Sequence, residues 1–122
     1  IPPAIAANQQ ALARFSGLMA DMRAAYNDLL ALGIKQEDAR YCFANAAETK
    51  IMITMNARSL LHFFQVRCCR RAQWEIRQMA DEMLKQVRAV SPVIFAKAGP
   101  TCVTDGYCGE GEMTCGRLKK DG

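Results

Sequence analysis

Histidine occurs once in this chain, at His62, and tryptophan once, at Trp74. The arginines at 67, 70, 71 and 77 therefore lack the interleaved exposed aromatics of a single-strand nucleic-acid surface. No apolar run approaches the roughly 20 residues of a membrane span. The six cysteines contain no CxxC pair, and the five and six residues that separate Cys102, Cys108 and Cys115 are unlike the usual zinc-knuckle spacings. No internal repeat is visible. The chain begins at Ile1, preceded by neither a charged start nor a secretory apolar core, and so reads as a piece whose front has been removed.

What is present suits a globular chain of at most one ordinary domain. At 122 residues, 51% hydrophobic and 23% charged, it can build a packed core and keep a solvated surface. A net charge of +4 fits phosphorylated small molecules at least as well as nucleic acid.

Behind the rigid start Ile1-Pro2-Pro3, the residues Leu12, Phe15, Leu18, Met19, Met22, Tyr26, Leu29 and Leu30 recur at helical spacing and predict one long amphipathic helix. Gly33 is its expected left-handed cap. A short helix from Lys35 to about Arg40 follows, then an irregular link, Tyr41 to Asn45. Ile51-Met52-Ile53-Thr54-Met55 is apolar, partly β-branched and of strand length, so a single strand is expected there.

Asn56 then offers a side-chain oxygen where a helix can begin. In that helix Arg58 and His62 fall four apart and share one face. Ala72, Ile76, Met79, Ala80, Met83, Val87 and Val90 define another amphipathic helix, and Ser91-Pro92 starts a last short one that ends at Gly99-Pro100. From 101 to 122 the composition turns to glycine, threonine, charge and cysteine, so an extended or mobile tail is expected there. The fold class so read is α+β, mainly helical with one strand that needs a partner from outside the chain.

Two strings in the middle of the chain, NARSLLHFFQVR (56–67) and AQWEIR (72–77), together with Ala39-Arg40-Tyr41 upstream, closely resemble the C-terminal half of the flavin-dependent (alternative, ThyX-type) thymidylate synthases. The resemblance runs from Ile1 to about Val90, so residues 1–100 correspond to the second half of such a domain. An RHRxxSxNE-like string, which binds flavin and nucleotide in that family, is absent here.

The resemblance implies a fold in which helices pack on a mostly antiparallel sheet. It also implies a homotetramer in the cytoplasm, FAD as cofactor, and NADPH and methylenetetrahydrofolate as co-substrates for methylating dUMP to dTMP. Asn56, Arg58 and His62 match positions that contact FAD, and Arg40 and Arg67 match arginines that bind dUMP. Arg67 is the expected catalytic group, since a fixed guanidinium stabilises charge that develops on the uracil. No metal and no nucleophilic cysteine belong to that scheme, and a fragment of this extent is expected to be inactive alone.

Plainer readings of the same residues exist. Arg58 and His62 can be ordinary residues of a helix surface, and lone arginines are most often surface charges. The cysteines are read as reduced thiols, with a metal site joining Cys102, Cys108 and Cys115 to Cys68 or Cys69, or tail disulfides, as alternatives. The metal version makes the chain a metal-stabilised helical interaction module.

Overall fold

The computed structural model describes residues 1–118; Lys119 to Gly122, the end of the expected tail, lie outside them. The chain separates into two compact units, Ile1–Met52 and a second that starts at Ile53.

The first unit is built on helix α2 (Gln9–Ala31), preceded by a single turn, α1 (Pro3–Ala6). The predicted long helix is thus broken at Asn8, whose extended backbone lets its side-chain oxygen accept a hydrogen bond from the Ala11 amide at 3.1 Å. At the other end Gly33 takes φ +82°, and the Ile34 and Gly33 amides reach back to the Leu29 and Leu30 carbonyls, the paired bonds of a Schellman cap. The turn returns α3 (Gln36–Ala39) and a 3-10 turn (Arg40–Cys42) against α2. There the Phe43 ring lies 4.9 Å from the Tyr26 ring, Cys42 Sγ donates to the Met22 carbonyl at 3.7 Å, and Ala39 is fully buried.

The second unit holds α4 (Ala57–Arg67), α5 (Trp74–Val90), α6 (Pro92–Phe95), α7 (Thr101–Thr104) and a 3-10 turn (Gly111–Met113). Gln73 caps α5 through Oε1, which accepts from the Glu75 and Ile76 amides. Helix α5 packs on both α4 and α6. The shared core is Phe64, Cys68, Ala80, Leu84, Phe95 and Ala98. Phe64 is fully buried, with Phe63 and Phe95 edge-on at 5.8 and 6.0 Å between ring centres.

The expected α+β class is corrected by this structure: among the described residues there are helices and turns but no strand or sheet. Residues 51–55 carry the composition of a strand, yet a strand is defined by ladder hydrogen bonds to a neighbour, and no segment of the described chain supplies them. Ile51 and Met52 are instead 79% and 97% exposed. Apolar composition alone does not supply a partner. The expected extended or mobile tail contains two short turns among its described residues, α7 at Thr101–Thr104 and the 3-10 turn at Gly111–Met113.

Cys68, the C-cap of α4, is the one ionisable side chain among the described residues of the core. Burial, and then the hydrogen bond and negative charge of Asp81, push its thiol up from 9.0 to about 12, against smaller opposing effects of Arg88 and Arg117. Because the folded value lies above the unfolded one, this contribution to stability is complete below pH 9.0 and is lost as pH rises from there through about 12. The expected result is a wild-type unfolding midpoint that falls more steeply above about pH 9 than that of Cys68→Ser, which has no thiol to ionise. Denaturant titrations of the two chains at matched pH values measure the difference, and equal slopes would contradict it.

Candidate functional site

Helix α4 carries four of the five residues singled out in the sequence, and its geometry sorts them. Asn56 is the N-cap, with Oδ1 accepting from the Ser59 amide at 2.9 Å, so its oxygen already satisfies the helix start. Arg58 and His62, one turn apart, line an open cleft of about 360 Å³. Arg67 is the last residue of α4 and exposed. Nine residues beyond Arg58 at about 100° per residue, it points from the opposite side of the helix. The structure therefore brings Arg58 and His62 together and leaves Arg67 apart from them. At its own end of α4, Arg67 is placed to offset the partial negative charge of the last carbonyls.

The other wall of the cleft comes from the chain beyond α6. Lys97, Ala98 and Gly99 line it, with Thr104 and Asp105 beside them, and Gln65 completes the α4 side. Gly99 holds φ +137°, a conformation that side-chain-bearing residues avoid, and there the chain turns back into α7. Thr104 Oγ1 donates to Asp105 Oδ2 at 2.8 Å. Arg88 of α5 donates from Nε to the Phe95 carbonyl at 3.2 Å and from Nη2 to the Ala98 carbonyl at 2.7 Å, fixing the segment that carries Lys97.

The α4 helical spacing already aligns Gln65 with His62, so it was visible in the sequence. Nothing in the sequence pattern ties Lys97, Thr104 or Asp105 to α4. They arrive only through the packing of α6 on α5.

Arg40 belongs to the first unit, where it lines a separate open cleft of about 630 Å³ with Tyr26, Lys35, Gln36 and Glu37. Among the described residues two cations, Lys35 and Arg40, stand there against one carboxylate, Glu37. The six cysteines are all free, and among the described residues no three or more His, Cys, Asp or Glu side chains are grouped to hold a metal ion. The metal-stabilised module thus finds no site there. No helix of the described residues is long and apolar enough to cross a membrane.

These features define a helical protein with open clefts lined by guanidinium, ammonium and amide donors, the groups that bind anionic small molecules. Residues 1–93 match the family described as thymidylate synthase complementing protein. The flavin-dependent thymidylate synthase of Geobacter sulfurreducens is 51% identical over 117 residues, covering 96% of this chain and 50% of its own length. That of Nitratidesulfovibrio vulgaris is 52% identical over 126 residues, with 96% and 51% covered, and that of Pyrococcus furiosus 42% over 125 residues, with 98% and 51%. The chain spans about half the length of these curated relatives. It belongs to the thymidylate synthase complementing protein family.

Proposed function

We propose that this chain serves in a flavin-dependent thymidylate synthase that converts dUMP to dTMP, with methylenetetrahydrofolate as carbon donor and NADPH as the source of reducing equivalents. The observation that carries the reading is the pairing of Arg58 and His62 in one cleft, in a chain half identical to relatives bearing that name. The donors there fit part of FAD: guanidinium and ammonium groups suit a diphosphate, and imidazole and amide groups suit ring carbonyls. A cleft of about 360 Å³ takes one such part, so the rest of a dinucleotide extends beyond it. When bound, the flavin supplies the hydride that completes the methyl group.

The remaining work falls to side chains of this chain. Arg58 and His62 hold and orient the cofactor, and Asn56, whose oxygen is committed to the helix cap, has its amide nitrogen left to donate. Arg40, with Lys35 beside it, binds the nucleotide phosphate. Arg67 places a fixed positive charge at the uracil, where electron density rises as its C5 attacks the one-carbon unit. The active assembly is a homotetramer in the cytoplasm, where the free thiols stay reduced.

The test is flavin retention by the full-length protein. Wild type is expected to purify yellow with stoichiometric FAD, and Arg58→Ala to lose at least about tenfold in affinity, as for a lost charged hydrogen bond. Asn56→Ser keeps a cap but removes the amide, so weaker FAD binding by this variant at unchanged stability would report the contact rather than the cap. Full flavin retention by Arg58→Ala would remove the cofactor from this cleft.

A further inference from the structure

The family match ends at residue 93, whereas one wall of the Arg58–His62 cleft is made by residues 97–105. That wall is a built feature. Arg88 donates from Nε and Nη2, one edge of its guanidinium, to the Phe95 and Ala98 carbonyls, which bracket Lys97, and Gly99 at φ +137° turns the chain so that Thr104 and Asp105 return to the same cleft. Ala98, Gly99 and Pro100 are buried while Lys97 between them and solvent is exposed, so the backbone is anchored and the ammonium is available to a ligand. Asp105 is the one carboxylate among the described residues that line the cleft, and it already accepts the Thr104 hydroxyl.

We infer that Lys97 is a ligand-binding residue of this cleft, supplying a second full positive charge opposite Arg58 for the diphosphate of the bound flavin dinucleotide, and that Arg88 is the positioning residue that holds it there. The inference rests on the proposed placement of FAD in this cleft. Its physical basis is that two cations on facing walls can both approach one dianionic group, whereas cations on one face of one helix reach only one side of it. Arg88 touches no ligand. Its two bonds remove the freedom of residues 95–98, so the ammonium is already in place when the anion arrives.

The experiment compares FAD with riboflavin, which lacks phosphate, in the full-length protein by quenching of flavin fluorescence. Lys97→Gln should weaken FAD about tenfold, the effect of one lost charged hydrogen bond. It should leave riboflavin unchanged and lower the salt dependence of FAD binding, and Lys97→Arg should restore most of the affinity. Arg88→Met should weaken FAD similarly, and the Arg88→Met/Lys97→Gln double variant should be no weaker than Arg88→Met alone, because the positioning residue acts through the lysine.

If Arg58→Ala weakens FAD and Lys97→Gln does not, the role of Lys97 is overturned while the cofactor's placement stands. Additive losses in the double variant would overturn the role of Arg88. If neither Arg58→Ala nor Lys97→Gln changes FAD binding, the placement of FAD in this cleft fails and the inference falls with it. Lys97 is exposed, so its substitution reads binding without loss of the fold.

Discussion

Arg67→Lys in the full-length protein is expected to lower methyl transfer about a hundredfold, equivalent to ~3 kcal/mol of transition-state stabilisation, while leaving reduction of the flavin by NADPH within a few-fold of wild type. The residue is exposed at the last position of α4, and no hydrogen bond to another described residue engages its guanidinium, so the side chain is available to a ligand. Lysine keeps the charge but not the planar fork that can meet a uracil edge at two points. The separation of the two half-reactions follows from geometry: Arg67 points from the opposite side of α4 to Arg58 and His62, so a defect at one face need not disturb the other. Stopped-flow measurement of flavin reduction beside single-turnover methyl transfer decides it. Equal losses in both, or release of FAD from the variant, would assign Arg67 to the cofactor or the scaffold.

Phe64→Ala is expected to remove ~3–5 kcal/mol from the stability of the second unit, enough to unfold most of a marginally stable domain. Phe64 is the largest fully buried side chain of the described residues, and the edge-on Phe63 and Phe95 rings pack against it. Removing its ring opens a cavity that the backbone of three helices cannot readily fill. Because Arg58 and His62 ride on the same helix, the cleft should be lost with the core. Denaturant unfolding monitored by circular dichroism would show it. A loss below about 1 kcal/mol would mean that α4 is not held by this core.

Much of the helical architecture was legible from periodicity. The apolar repeat of α2, the glycine that ends it, the side-chain cap at Asn56 and the amphipathic α5 all follow from rules that act within a few residues. The break at Asn8 was missed because the apolar repeat begins only at Leu12 and does not mark where the helix starts, while the Asn8 cap sets that start one residue later. Ser91, a good capping residue by type, stands at the N-cap of α6 without a side-chain hydrogen bond to it. The strand was misjudged because composition describes what a segment prefers, and strand formation depends on a partner elsewhere.

By itself the sequence determined the residues that share a helix face, hence the pairing of Arg58 with His62, and it carried the family resemblance in two uncommon strings. These are local properties, set by a helical repeat of 3.6 residues and by residue identity. Only the tertiary structure decided that residues 95–105 return to α4, that Arg88 locks Lys97 into the cleft wall, and that Cys68 lies buried beside Asp81. These contacts join groups 7 to 47 positions apart in a chain of 122. Their existence depends on how α5 and α6 pack around Phe64, and no local pattern encodes that distance.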